Sequence, residues 1–164
     1  PVTPRRQRQM CIRDRLMSLS LVQGCGTVGH PAAGTDTGAS RAITVSTLDD
    51  GATRIVVSTD AAFDYGSVAL RPAVADDLVR VAKPHLQQKV TITGYTDNVG
   101  AAAYNLTLSR DRAQSIANAL MLHGASAERV TGAGHGEASP RASNETEAGR
   151  ALNRRVELLF ESLN

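Results

Sequence analysis

Aromatic residues are scarce: the 164-residue sequence has no Trp, two Phe and three Tyr. A core built on rings is therefore excluded, and Val, Ile, Leu and Ala must fill the interior. The same scarcity argues against nucleic acid as a partner, because no basic stripe is interleaved with stacking side chains. Cysteine occurs only at positions 11 and 25, so whatever folds downstream has neither a disulfide nor a thiolate metal site. The four histidines, His30, His85, His123 and His135, show no metal-ligand spacing. No G-x-S-x-G elbow is present. The glycine cluster Gly132-Ala133-Gly134-His135-Gly136 lacks the Lys-Ser/Thr and the long following helix of a phosphate loop. The acidic pairs Asp49-Asp50 and Asp76-Asp77 fall in a turn and on a helix surface, which are solvated settings. We therefore expect a chain that is not an enzyme and needs no cofactor. No apolar run approaches the ~18 residues of a membrane-spanning helix.

What is present begins with an uneven charge. The net charge is +2, yet residues 1–15 hold five Arg and one Asp; that +4 leaves −2 for the rest. The stretch Arg8–Arg15 reads as a translated transposon-end adapter of the kind used in sequencing libraries, so residues 1–15 are set aside from fold reasoning. Residues 16–25, Leu16-Met17-Ser18-Leu19-Ser20-Leu21-Val22-Gln23-Gly24-Cys25, form a short apolar run ending in Gly-Cys. It is similar to the end of a bacterial lipoprotein signal peptide, truncated here. That resemblance implies lipidation of Cys25. A buried or free thiol at Cys25 is the other reading. Residues 26–40, rich in Gly, Ala and Thr without apolar periodicity, are expected to form a flexible linker.

The folded region is expected over residues 41–164. Ile43 and Val45, then Ile55 and Val57, alternate with polar residues around Asp49-Asp50-Gly51, which reads as a β-hairpin. Residues 60–66 read as a loop. Pro72 opens a helix whose stripe is Val74, Leu78, Val81 and Ala82, with Pro84 limiting it. Val90 and Ile92 mark a strand ending at Gly94. Residues 95–100 read as a loop, and a long helix follows over about 101–123, with Ala113, Ile116, Ala117 and Leu120 facing inward and Gly124 stopping it. A short strand around Val130 leads into residues 132–136, read as loop. A short helix near 145–152 and a last strand with Val156, Leu158 and Phe160 close the chain. The order β-hairpin, α, β, α, β, α, β predicts an α/β sandwich with helices packed on a mixed sheet.

Five segments of this region carry motifs in a fixed order. They are Phe63-Asp64 with Ser67, Leu70 and Pro72; Gly94-Tyr95-Thr96-Asp97-Asn98-Val99-Gly100; Tyr104-Asn105 with Leu108-Ser109 and Arg112-Ala113; Gly134-His135-Gly136-Glu137 with Pro140; and Asn153-Arg154-Arg155-Val156-Glu157. Together they resemble the OmpA-like domains found in outer-membrane porin tails, peptidoglycan-associated lipoproteins and flagellar stators. The resemblance implies non-covalent binding of peptidoglycan through the diaminopimelate of its stem peptide. The free end of that side chain holds an ammonium and a carboxylate. A zwitterion of this kind calls for one carboxylate and one guanidinium held a fixed distance apart, the guanidinium gripping its partner through two parallel hydrogen bonds.

By that resemblance Asp97 meets the ammonium and Arg112 the carboxylate. Asn105 lies seven residues before Arg112, on the same helix face. Thr96, Asn105 and the guanidinium of Arg154 or Arg155 are candidates for further hydrogen bonds, and amides at residues 101–103 for an anionic group. Plainer roles stand beside these. Asp97 also suits an Asx turn or helix cap. Arg112 also suits a solvated helix charge paired near Asp111 or with Glu128, and one of Arg154 and Arg155 suits the shielding of a sheet edge. The expected whole is a lipid-anchored protein on the periplasmic face of a Gram-negative-type outer membrane, holding membrane to wall, with other envelope proteins as possible partners. The alternative is a periplasmic interaction or assembly module that keeps the fold and binds another polypeptide.

Overall fold

A computed structural model describes residues 42–162. The adapter-like segment 1–15, the lipobox-like segment 16–25 with Cys25 and the linker 26–40 lie outside the described residues.

The alternating runs around Asp49-Asp50-Gly51 do form a hairpin, β1 (Ile43–Thr47) and β2 (Thr53–Ser58), with Ile43 paired to Val57 and Thr47 to Thr53. Asp50 stabilises the turn by accepting the Ala52 N–H at 3.0 Å. A single helical turn, α1 (Thr59–Ala62), follows where the sequence reads as loop. Its cause is tertiary: Ala62 and Phe63 are drawn into the core, and Phe63 makes a bridge to Leu70. Next come α2 (Pro72–Ala82), begun by Pro72 as expected, β3 (Val90–Tyr95), α3 (Ala102–Leu122), β4 (Val130–Gly134), α4 (Glu147–Asn153) and β5 (Arg155–Phe160). Among the described residues no helix is long and apolar enough to cross a membrane.

The sheet order is β1-β2-β5-β3-β4, with β3 and β4 parallel and all other pairs antiparallel. The fold is thus the mixed α/β sheet expected from the element order. The last strand sits in the middle, and its alternation explains why: Val156, Leu158 and Phe160 are all buried on one face. In register with them lie Ile55 and Val57 on one side and Val90 and Ile92 on the other. Val74 and Leu78 of α2 and Ala113, Ile116, Ala117 and Leu120 of α3 join the same hydrophobic cluster.

The glycine cluster at 132–136 is not all loop: Gly132 and Gly134 belong to β4. Glycine weakens a strand, so the sequence pattern reads against one. Here it serves close packing. A Cβ on Gly134 would lie 2.3 Å from the Arg110 amide nitrogen, and one on Gly94 of β3 would lie 2.0 Å from the Ser109 carbonyl oxygen. No side chain fits at either position, so the α3 backbone rests directly on β3 and β4 at residues 109–110. Ser109 secures the contact, accepting the Gly136 N–H at 2.9 Å. This seat sets the height of α3 above the sheet, and with it the positions of Asn105 and Arg112.

Candidate functional site

Where β3 ends, the chain turns over the tip of the sheet before entering α3. Asp97 sits in that turn and shapes it: its Oδ1 accepts the Val99 N–H at 3.1 Å, an Asx turn. Asn105, in the first turns of α3, holds the same loop from the other side. Its amide donates to the carbonyls of Asp97 at 3.3 Å and Val99 at 3.1 Å. Asn105 is buried and its Nδ2 is committed to the backbone.

Two turns further along α3, Arg112 is 93% buried, and burial pulls its pKa below the ordinary arginine value; the nearby Asp60, Tyr104 and Asp97 oppose that pull. Nε donates to the Ser67 carbonyl at 3.0 Å, and the guanidinium lies 5.2 Å from the centre of the Phe63 ring. Neither Nη finds a hydrogen-bond partner among the described residues, so the fork that grips carboxylates is open. The pairings with Asp111 or Glu128 entertained for Arg112 do not form.

Arg154, just after α4, reaches the same place from the far end of the chain. Nη1 donates to Asp97 Oδ2 at 2.7 Å; Nε and Nη2 donate to the two oxygens of Asp60 at 2.8 and 2.7 Å; Nη2 also donates to Glu147 at 2.6 Å. Three carboxylates on one guanidinium raise its pKa above the ordinary value, the hydrogen bonds it donates to Asp60 contributing most. Arg155 plays no part here. It opens the central strand, stacks 4.0 Å over the Tyr95 ring and pairs with Glu157 at 2.7 Å. Neither arginine shields a sheet edge, since β5 lies between β2 and β3.

All five candidates, Thr96, Asp97, Asn105, Arg112 and Arg154, line one cleft of about 570 Å³. Phe63 and Leu108 form apolar parts of its wall. Two hydroxyls in the wall, on Thr59 and Thr96, are buried without a hydrogen-bond partner. Among the described residues no group of three or more His, Cys, Asp or Glu is placed to hold a metal ion. The carboxylates converge on Arg154 instead.

Residues 62–154 match the profile of the OmpA family, more than half of the chain. The chain belongs to the OmpA family. It is 43% identical over 104 residues to the protein named Probable lipoprotein YiaD of Escherichia coli K12, covering 62% of this chain and 48% of that one. It is 42% identical over 101 residues to the Peptidoglycan-binding protein ArfA of Mycobacterium tuberculosis, covering 60% of this chain and 31% of that one. Among solved structures it resembles the cell wall anchor of the T6SS from Pseudomonas aeruginosa, with TM-score 0.67, 30% identity and coverage of 74% and 89%. The chain spans less than half the length of these curated relatives.

Within this OmpA-family cleft, several residues escaped the sequence reading. Asp60 and Thr59 lie in the unforeseen α1, and Glu147 and Arg150 project from α4. Arg150 pairs with Glu147 at 2.7 Å and ties down the Asn144 carbonyl. Each reaches the cleft only through tertiary packing, and no local spacing announces it. Asp64, in the segment 60–66 read as loop, is mostly exposed at the rim and pairs with Arg71 at 2.6 Å.

Proposed function

We propose that this protein binds peptidoglycan non-covalently, taking the free end of a diaminopimelate side chain into the cleft. One observation carries the reading: a carboxylate and an arginine, fifteen positions apart in sequence, line a single cleft, and the arginine's two Nη groups are open. In this reading Arg112 grips the distal carboxylate of the ligand, and the ammonium settles by Asp97. The acidic side has charge to spare, because Asp60, Asp97 and Glu147 share the one guanidinium of Arg154. The names of two relatives, a peptidoglycan-binding protein and a cell wall anchor, support the assignment of ligand class.

We further propose that Cys25 carries lipid and ties the domain to the inner leaflet of the outer membrane. The Gly24-Cys25 ending of the apolar run and the likeness to a protein named as a lipoprotein support this. The chain would then link membrane and wall from the periplasmic side.

Sedimentation with purified sacculi tests the wall grip. Wild type is expected to sediment with diaminopimelate-type walls, whereas Asp97→Asn and Arg112→Ala stay in solution. Each lost charge-assisted contact removes about 1.5–3 kcal/mol, or roughly ten- to hundredfold in affinity. A wall with Lys-type stems, which lack the distal carboxylate, leaves Arg112 unpaired and should retain little of any of the three. Equal sedimentation of all three with diaminopimelate-type walls would sink the assignment.

A further inference from the structure

Between α1 and α2 the chain makes a loop over residues 64–70, rooted in the bridge between Phe63 and Leu70. Little apolar packing holds its tip, since Tyr65, Val68 and Ala69 are exposed. Inside the loop the Ser67 N–H donates to the Asp64 carbonyl at 2.9 Å, and the Ser67 hydroxyl accepts the Ala69 N–H at 3.1 Å. These bonds shape the turn but tie it to nothing else. Two side chains of α3 do that. Arg112 donates Nε to the Ser67 carbonyl at 3.0 Å, and Ser115 donates its hydroxyl to the Val68 carbonyl at 2.6 Å. Residues three apart share a helix face, so two successive loop carbonyls meet two successive side chains of α3. A helical serine can instead turn its hydroxyl back to the carbonyl four residues before it. That carbonyl, of Asp111, lies at 3.1 Å, and the shorter contact is the one to the loop.

The contact to Ser67 decides what Arg112 can offer a ligand. A guanidinium is rigid and planar, so a hydrogen bond that fixes Nε also fixes the directions of both Nη groups. The Phe63 ring, 5.2 Å away, attracts the cation through its face and restrains rotation within the plane far less than a hydrogen bond does. With Nε committed to Ser67, a carboxylate must be taken end-on, through the two Nη groups. Neither Ser67 nor Ser115 lines the cleft. An effect of Ser115 on the ligand therefore passes through Arg112.

We propose that Ser115 is a positioning residue for Arg112: by tying Val68 to α3 it holds the Ser67 carbonyl on Nε and aims both Nη groups at a carboxylate presented end-on. The inference rests on the stem-peptide reading only for the identity of that carboxylate. Wild type is compared with Ser115→Ala and with Ser115→Thr, which keeps the hydroxyl. Hydrogen exchange of the Arg112 Nε–H, followed by NMR with isotope-labelled arginine and no ligand, reads the positioning itself. Exchange is expected to be about fivefold faster in Ser115→Ala and slow again in Ser115→Thr. Titration calorimetry with the stem tripeptide in its diaminopimelate and its lysine form reads the consequence. Ser115→Ala should weaken the diaminopimelate form about fivefold and leave the lysine form unchanged, and Ser115→Thr should restore the wild-type preference. A merely structural loosening of the cleft would weaken both forms alike. Equal exchange in wild type and Ser115→Ala overturns the proposal. So does a wild-type preference that survives intact in Ser115→Ala, whether both affinities hold or fall together. Should wild type not distinguish the two tripeptides while exchange still accelerates in Ser115→Ala, the positioning stands and the diaminopimelate reading falls.

Discussion

Arg154 is the residue on which the acidic side of the cleft depends. Its three carboxylate partners are not equivalent. Asp60 and Glu147 keep roughly half or more of their side chains in solvent, whereas the Asp97 side chain is 11% exposed. Exposed ion pairs contribute about 0–1 kcal/mol, while a hydrogen bond to a charged, poorly solvated group contributes about 1.5–3 kcal/mol. The Asp97 contact should therefore dominate. Arg154→Ala is expected to lower the unfolding free energy by about 2 kcal/mol, and Asp60→Asn by less than about 1 kcal/mol, both read from urea denaturation at neutral pH. An equal effect of the two substitutions would show that the weight rests on the exposed pair instead. That Asp97 and Arg112 line one cleft was legible through the family resemblance of their two motifs, since each residue alone suits an Asx turn or a solvated helix charge. Asp60 was not, since it meets Arg154 across 94 positions and only the packing of α1 against the sheet brings them together.

At the scale of elements, α4 is short, and side chains at its start hold it in place. Thr146 caps it by accepting the Gly149 N–H at 3.1 Å, and Glu147 occupies the first turn, where a negative charge suits the helix dipole. Hydrogen bonds from Arg154 and then Arg150 hold the Glu147 carboxyl below the ordinary carboxylate range. A depressed pKa contributes stability above the ordinary value of about 4.3, and that contribution fades as pH falls through the lower folded value. Arg154 remains charged across this range, so the titration belongs to the acid. Glu147→Gln should thus be less stable than wild type at neutral pH, with the gap closing on acidification; a gap constant down to about pH 2 would exclude the linkage. The sequence announced α4 within two residues at each end and α3 within one. It misled at β4, because glycines that permit α3 to touch the sheet look the same as glycines that make a loop. It was silent on α1, whose four residues are too few to show a periodicity.

The whole molecule has one feature that element order alone could not reveal: β5 lies at the centre of the sheet, so Arg155–Phe160 is built into the core. That placement delivers Arg154, immediately before β5, to the cleft formed by the β3–α3 loop. The function proposed above would couple two modest attachments at this scale. A few charge-assisted contacts give a single cleft limited affinity, but a membrane carrying many copies faces a wall carrying many stems, and linked binding events multiply. The lipid proposed on Cys25 adds about 0.8 kcal/mol per buried methylene, enough for stable anchoring when more than one chain is attached. The two attachments should be separable in cells. With a lipoprotein leader ahead of Cys25 in a Gram-negative-type host, wild type is expected to incorporate a fatty-acid analogue and to keep outer membrane with the wall fraction after gentle lysis. Cys25→Ser should lose both the label and the co-fractionation, because a wall-bound domain without lipid holds no membrane. Arg112→Ala should keep the label and lose only the co-fractionation. Labelling that survives Cys25→Ser would remove the anchor from this account while leaving the cleft untouched, and co-fractionation that survives Arg112→Ala would mean that the link between membrane and wall runs through some other surface.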